Sequence, residues 1–206
     1  AKYLNKEYSL TELMNPSTSE TLEDIKRMSP KMEKIKEKLI IKDSIQSPTE
    51  IYQYMISEMK KYGTLKSAPD GSKIFTYTNP NLHIFCITDT INALNPDPGL
   101  SEFESMKRWS KNYCKLGLSL IYNMIVINVQ QLDNQVRAGQ FTNTGQKIEE
   151  KHEPSMGNLA DVKSTPADHT LVLSLFSPSK YDINTYMNYD TKRMGDHYIK
   201  LGIIKN

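Results

Sequence analysis

Two polar side chains, Asp89 and Gln131, each follow a short apolar run and are the residues of this sequence best placed to do chemistry. The first run is LHIFCITD, which ends on Asp89, and the second is MIVINVQQ, which ends on Gln130 and Gln131. Short apolar runs bounded by polar residues predict strands buried on both faces, as in a parallel sheet. Ligands of open α/β sheets bind beyond the carboxyl ends of the strands. An acid and an amide at that edge predict a phosphate and metal site.

Each of these residues also has an ordinary structural interpretation. An aspartate after a strand is weak evidence for a metal site by itself, because aspartate also caps helices and starts turns. The Gln131 amide could equally pair with the backbone of the loop that follows it. A zinc site is not expected, because His152 and His169 show no metal-ligand spacing with Cys86 or Cys114.

The elements that position these residues are predicted to alternate between helix and strand. Before residue 39 the pattern predicts three short helices: residues 2–13, a second that Ser19 or Thr21 caps and that runs to about Met28, and a third that Ser29 and Pro30 open. Leu39 to Ile41 is expected to be a strand. Ser47, Pro48 and Glu50 then form a strong helix-start signal, and that helix is expected to end at Gly63.

A hairpin or an insertion with a turn at Asp70-Gly71 is predicted just before the first apolar run. Between the two runs, Ser101 is expected to cap a long amphipathic helix. Its apolar stripe is more typical of sheet-packing core than of a cofactor site, and consists of Phe103, Met106, Trp109, Tyr113 and Leu116.

Residues 132–168 are polar and read as a functional loop or a partly disordered segment. They precede an apolar strand at residues 170–176, and a last strand ends the sequence. The alternation of strands with helices therefore predicts an α/β domain with a mostly parallel central sheet.

Composition limits the class of protein without naming a function. The 206 residues are 38% hydrophobic and 24% charged, with a formal net charge of +2, which is too near neutral to predict a nucleic-acid partner by itself. Two cysteines in apolar surroundings indicate buried thiols in a reducing compartment rather than a disulfide framework. No apolar run is long enough to span a membrane, and the first residues lack the apolar core of a signal peptide. A cytosolic globular protein is expected.

The order of motifs resembles the DnaB-type replicative helicases of the RecA-like ATPase superfamily. IFCITDTINAL resembles the Walker B strand, and SEFESMKRWSKNYCKLGLSLIYNMIVINVQQLDN resembles the helix and sensor strand that follow it. PSMGNLADVKSTPADHTLVLSLF resembles the loop before the next core strand, and IIKN resembles the start of the segment that carries a basic finger. KDSIQSPTEIYQYM resembles the strand and helix ahead of Walker B. The resemblance spans about Leu39 to Asn206.

This resemblance implies a RecA-like core that is truncated at both ends. It divides into a helical lead-in (1–38), a strand-helix core (39–131), a DNA-facing loop region (132–168) and C-terminal strands (169–206). ATP and Mg²⁺ are the implied cofactors. Asp89 would be the Walker B acid that orients magnesium through water, and Gln131 would be the polar sensor of the γ-phosphate. Lys205 would be a lysine acting on the neighbouring subunit, although a solvated strand-end lysine is an equal alternative.

The loop region would face single-stranded DNA in the channel of a homo-hexamer, and its implied DNA-binding residues are Arg137, Lys147, Lys151, Lys163 and Ser164. A primase or a helicase loader is a further implied partner, and a bacterial or phage-infected cytoplasm is the implied location. Without the resemblance, a disordered surface loop explains residues 132–168 nearly as well.

Two departures from the family pattern matter. No GxxxxGK[ST] motif occurs, since Gly71-Ser72-Lys73 and Gly145-Gln146-Lys147 lack the spacing, and the sequence stops at Asn206, where the family has its finger arginine. We therefore expect an interior piece of a larger ATPase that does not hydrolyse ATP alone. The alternatives are a non-catalytic RecA-fold module for assembly or DNA binding, and another superfamily member such as a recombinase.

Overall fold

A computed structural model describes residues 11, 14–44, 46–131, 153–155 and 165–206. Their contacts form two compact units, Ala1–Ser44 and Ile45–Asn206. Within the ranges just given, no helix combines the length and the apolarity needed to cross a bilayer.

The first unit contains one described helix, α1 (Ser19–Lys36). Thr18 is its N-cap, and the Thr18 Oγ1 accepts a hydrogen bond from the backbone N–H of Thr21 at 3.2 Å. The predicted caps, Ser19 and Thr21, are therefore wrong by one and three residues. The predicted break at Pro30 is also wrong, because the helix continues through it. Pro30 and its surroundings are exposed, so water can replace the backbone hydrogen bond that proline cannot donate.

The two other predictions for the N-terminal part have different outcomes. The predicted helix at residues 2–13 lies outside the described residues apart from Thr11. The predicted strand from Leu39 to Ile41 is wrong: these residues are exposed and irregular, and no described segment pairs with them. A short apolar run needs a neighbouring strand to become part of a sheet, and local sequence does not supply one.

The second unit begins with α2 (Pro48–Met59), which the sequence predicted correctly at its start. The Ser47 side chain accepts from the Glu50 N–H while the Glu50 carboxylate accepts from the Ser47 N–H at 3.0 Å, which completes a capping box. The helix ends at Met59, four residues before the expected end. The predicted hairpin is confirmed as β1 (Gly63–Ser67) and β2 (Lys73–Tyr77), antiparallel and joined through Gly71 at φ 81°.

The two apolar runs form β3 (Phe85–Thr88) and β4 (Ile125–Asn128), a parallel pair. The prediction that both faces are buried is wrong. Phe85 and Ile87 are 55% and 64% exposed, whereas Cys86 and Val126 face the core. The register pairs Phe85 with Ile125 and leaves one apolar face of this pair uncovered by described residues.

The helix between β3 and β4 starts as predicted but changes its winding. Ser101 and Glu104 form a capping box for α3 (Glu102–Arg108), which continues as a π-helix over Trp109–Ile121. Its wider turn is visible in the Tyr122 N–H, which donates to the Gly117 carbonyl at 3.2 Å. The predicted stripe therefore fails in part: Phe103 and Leu116 are 48% and 45% exposed.

The buried face of this helix instead follows residues four to five apart, and the main core forms around it. The buried members are Met59, Phe75, Cys86, Ile91, Met106, Trp109, Cys114, Leu118, Tyr122 and Met124. Asp97 ties the start of α2 to this helix, because its Oδ1 accepts from the Thr49 N–H at 3.0 Å and its own N–H donates to Ser105 Oγ at 2.8 Å.

The C-terminal part begins with a helical turn, α4 (Thr165–Asp168), so the end of the predicted polar loop is ordered and partly buried. The predicted last two strands are confirmed as β5 (Val172–Phe176) and β8 (Lys200–Lys205), which pair antiparallel. Between them lie the short antiparallel pair β6 (Thr185–Tyr186) and β7 (Tyr189–Asp190) and a helical turn, α5 (Thr191–Met194).

The predicted mixture of helices and strands is confirmed, and the described strands form four two-stranded sheets. Parallel pairing among them is that of β3 with β4, and the other three pairs are antiparallel. A second, smaller core lies in the C-terminal part, around Phe176, Ile183 and Tyr186.

Candidate nucleotide-facing edge and comparison with known structures

The carboxyl ends of β3 and β4 lie side by side, as the parallel pairing requires. Thr88 and Asn128 are paired at the end of the ladder, and the Val129 N–H donates to the Thr88 carbonyl at 2.9 Å. The Ile91 N–H then donates to the Val129 carbonyl at 3.0 Å, which extends the contact beyond the strands. Asp89 follows β3 directly, so Asp89 and the segment leading to Gln131 emerge at the same edge.

A short polar turn connects the two strand ends. Thr90 caps the 3-10 turn Ile91–Ala93 and accepts a hydrogen bond from the Asn92 N–H at 3.3 Å. The Asn92 Oδ1 in turn accepts from the Gln131 N–H at 3.0 Å and from the Thr90 hydroxyl at 3.1 Å. Asn92 was not singled out from the sequence, yet it is the side chain that fastens the end of β4 to the end of β3.

Asp89 is exposed at this edge. Within the described ranges, no group of three or more His, Cys, Asp or Glu side chains could hold a metal ion. A single solvated carboxylate still suits Mg²⁺, which keeps several of its own waters and takes one or two carboxylates together with substrate phosphates. The residues present therefore fit an ion held through water, with further ligands coming from a bound nucleotide.

Gln131 is exposed, and its backbone N–H is the donor to Asn92 described above. The segment is thus held by its backbone, which matches the simpler of the two interpretations of a strand-end amide. The sensing role of the Gln131 side chain stays a prediction.

Lys205 lies at the end of β8 and is engaged within its own chain. Its Nζ donates to three backbone carbonyls, those of Pro166 at 3.0 Å, Ala167 at 3.2 Å and His169 at 2.7 Å. These carbonyls belong to α4 and the residue after it, where a cation is favoured by the negative end of the helical turn. The predicted action on a neighbouring subunit is untested, and the described position of Lys205 is that of a cap.

The predicted DNA-binding residues lie outside the described residues: Arg137, Lys147, Lys151, Lys163 and Ser164. Of the predicted loop region, residues 153–155 and 165–168 are described. Glu153 is bound by the C-terminal part of the chain, since its carboxylate accepts from the Tyr186 hydroxyl and from Lys200 Nζ at 2.7 Å.

The sequence reasoning missed a partly buried polar cluster beneath the end of β4. Asn128 is its centre: the Asn128 Oδ1 accepts from the Trp109 indole N–H at 3.1 Å, and the Asn128 Nδ2 lies 2.9 Å from His169 Nε2. The His169 Nδ1 lies 2.9 Å from the Thr165 carbonyl oxygen. One available signal was Asn128 itself, a polar residue at an inward-facing position of the run MIVINVQQ.

The two cysteines are free and buried, as the sequence predicted. Burial raises the pKa of the Cys86 thiol to about 11 and that of the Cys114 thiol to about 12. The Asn128 Nδ2 also donates to the Cys114 sulfur at 3.5 Å. Both thiols are therefore neutral structural groups at physiological pH and poor nucleophiles.

Solved structures identify the fold that this geometry belongs to. The structure of a DnaB-like replicative helicase, described with its interactions with primase, matches with a TM-score of 0.63 at 15% sequence identity, over 96% of this chain and 38% of that one. The structure of a separate ATPase domain matches with a TM-score of 0.65 at 15% identity, over 97% of this chain and 58% of that one. Comparison with protein-family models finds no match, and neither does comparison with curated proteins.

The chain therefore has the α/β fold of DnaB-type helicase ATPase domains, as the motif order predicted. It spans less than two thirds of either matched chain. At this level of identity the likeness establishes the fold and carries no residue roles.

Proposed function

We propose that this chain is part of an ATP-dependent DNA helicase motor, in which ATP hydrolysis drives movement along single-stranded DNA. The observation that carries the proposal is the parallel β3–β4 pair, whose carboxyl ends meet and present Asp89 and Gln131 at one edge of a helicase-type fold. In open α/β sheets this edge is where ligands bind. The fold supports a motor of this class in general, and the residue roles below are part of the proposal.

In this proposal Asp89 orients Mg²⁺ through a bound water, and Gln131 responds to the γ-phosphate. The ion, when bound, would neutralise charge on the phosphates. The protein's own contribution here is to hold the Asp89 carboxylate and the Gln131 segment in fixed register through Asn92. The sequence has no GxxxxGK[ST] loop, so the phosphate cradle would come from polypeptide outside these 206 residues.

ATP turnover by the complete protein that contains this chain tests the catalytic proposal. We expect turnover that single-stranded DNA stimulates, and we expect Asp89→Ala to abolish it while the far-UV circular dichroism spectrum is unchanged. Asp70→Ala is the matched control, because Asp70 is an exposed aspartate at the tip of the β1–β2 hairpin. Turnover at the wild-type rate in Asp89→Ala would refute the assignment.

Single-stranded DNA, a homo-hexameric ring and a primase or helicase loader are the partners that go with this proposal. One of the matched structures is described with its interactions with primase, which supports primase as the first partner to test. The DNA contact would use Arg137, Lys147, Lys151, Lys163 and Ser164. Unchanged binding of single-stranded DNA after joint neutralisation of Lys147, Lys151 and Lys163 would remove the loop from the proposal.

A non-catalytic module with the same fold is the second candidate, and the missing GxxxxGK[ST] motif favours it. Such a module would bind DNA or partner subunits without turning over ATP. The two candidates separate in one measurement, because the complete protein either hydrolyses ATP in an Asp89-dependent way or does not hydrolyse it at all.

A further inference from the structure

The polar cluster beneath β4 joins three parts of the chain that are distant in sequence. Asn128 ends β4, Trp109 begins the π-helix, and His169 directly follows α4. The Asn128 amide contacts both of the others, at 3.1 Å to Trp109 Nε1 and 2.9 Å to His169 Nε2. A single side chain therefore connects the strand that leads to Gln131 with the turn that ends the loop region 132–168.

Donor and acceptor chemistry fixes how this cluster is protonated. An indole N–H can only donate, so the oxygen of the Asn128 amide faces Trp109 and its NH₂ faces His169. His169 Nε2 must then accept, which leaves the proton on Nδ1, where it is donated to the Thr165 carbonyl at 2.9 Å. The imidazole that satisfies both bonds is neutral. A second proton on Nε2 would set an N–H against the Asn128 NH₂.

The same turn is held from two other sides. Asp168 accepts a hydrogen bond from the Ser110 hydroxyl at 3.1 Å, and Lys205 Nζ donates to the carbonyls of residues 166, 167 and 169. These contacts do not include Asn128. They hold the turn to the π-helix and to β8, whereas the Asn128–His169 bond holds it to the carboxyl end of β4.

We propose that Asn128 and His169 are a positioning pair that sets the α4 turn against the end of β4 while the imidazole is neutral. Its value for coupling rests on the proposed function: Gln131 lies three residues after Asn128, and α4 ends the loop region proposed to contact DNA. A displacement of the β4 end on nucleotide binding would then reach the loop region through this bond.

The other titratable groups around His169 each have a defined partner or state. Asp168, on the same turn, accepts from Ser110, and Lys205, on β8, donates to the His169 carbonyl. Cys114, on the π-helix, is neutral because burial raises its pKa to about 12. His169 is therefore the group of this cluster whose ordinary titration lies between about pH 5 and pH 8.

Trp109 makes the pair observable without any activity assay. It is the one tryptophan of the sequence, it is 0% exposed, and its indole N–H is bonded to Asn128. Acidifying the 206-residue chain through the imidazole range should change the Trp109 emission in a single transition as His169 gains its second proton. His169→Gln should remove that transition, because glutamine offers an acceptor and a donor without titrating.

His83→Gln is the matched control, since His83 is exposed and lies outside the cluster. We expect it to keep the transition. Asn128→Leu removes both bonds and provides a second test, with altered Trp109 emission at neutral pH and no transition on acidification. A transition that persists in His169→Gln, or one that disappears equally in His83→Gln, would overturn the proposal.

ATP turnover of the complete protein tests the coupling step. Asn128→Leu should reduce the stimulation of turnover by single-stranded DNA by about tenfold, a coupling typical of linked sites. On acidification the wild type should lose stimulation, and His169→Gln should retain it. If turnover is absent altogether the proposed function fails, while the Trp109 titration still decides whether the positioning pair exists. Equal stimulation in wild type and Asn128→Leu would overturn the coupling.

Discussion

The ends of β3 and β4 lie at the same edge but are built in opposite ways. At the end of β3, Asp89 is exposed, and the neighbouring polar groups serve a local turn through Thr90 and Asn92. At the end of β4, Asn128 points inward and its amide is bonded to Trp109 and His169. One strand end offers a charge to solvent, and the other uses its polar group to hold the protein together.

This difference separates two functions that a site needs. A group that meets a ligand must be accessible and tolerant of substitution in the folded state. A group that transmits position must be packed and bonded to parts of the chain that are far away in sequence. The two strand ends divide these tasks, so substitutions at one should affect chemistry and substitutions at the other should affect stability.

The largest effect is expected for Trp109→Ala, at the base of the β4 cluster. Trp109 is fully buried in the main core and donates to Asn128, so its removal leaves a cavity and an unpaired amide oxygen. We expect a loss of about 3–5 kcal/mol of unfolding free energy, measured by urea denaturation. Phe103→Ala on the same helix is the control: Phe103 is half-exposed, and its loss should cost much less.

Local signals in the sequence predicted the parts of the fold that local chemistry determines. The Ser47–Glu50 capping box and the turn at Asp70-Gly71 were correct, because a cap or a tight turn is specified by residues three or four apart. The strand at Leu39–Ile41 was wrong, because strand formation depends on a distant partner. The buried face of the π-helix was wrong beyond Trp109, because a periodicity of 3.6 residues was assumed.

A smaller effect is expected for Lys205→Met at the end of β8. The ammonium group holds three carbonyls of the α4 turn, and hydrogen bonds to a charged group contribute about 1.5–3 kcal/mol. We expect a loss of about 2 kcal/mol, reduced from a simple sum because the freed carbonyls can bind water. Lys66→Met, an exposed lysine of β1, should change stability little. Equal effects of the two substitutions would show that the bonds of Lys205 contribute nothing.

Alkaline pH tests whether the layer beneath both strand ends is dry. The folded state raises the pKa of Cys114 from 9.0 to about 12, so the unfolded chain releases this proton first. Stability should therefore be unaffected below pH 9 and should fall as the pH rises from there toward the folded pKa. By about pH 10 the Cys114 contribution to this loss is about 1.4 kcal/mol.

Cys114→Ala isolates that contribution, because the buried tyrosines and Cys86 are left in place. The variant should be less stable than the wild type at neutral pH, since a buried side chain is shortened, but it should lose less stability between neutral pH and about pH 10. Parallel pH profiles of the two proteins, measured by urea denaturation, would show that the thiol is not buried as described.

The candidate site was predictable only where it depends on the ends of consecutive strands. Asp89 and Gln131 could be brought together from the sequence because two apolar runs joined by a helix predict a parallel pair. The Asn128–His169 bond could not, because the residues are 41 positions apart and asparagine and histidine are common surface residues. The capping position of Lys205 was missed for the same reason, since its partners are backbone carbonyls.

The smallest effect on stability is expected for Asp89→Ala, at the open strand end. Asp89 is exposed, so its removal should change the unfolding free energy by no more than about 0.5 kcal/mol. Asp97→Ala is the contrasting variant eight residues further on: this carboxylate is 3% exposed, accepts from the Thr49 N–H and lies 3.6 Å from Arg108. Its loss leaves a buried helix start and a cation without a partner and should cost several times more. If Asp89→Ala instead destabilises the chain as much as Asp97→Ala, Asp89 is a structural residue, and the contrast between an open and a tied strand end is wrong.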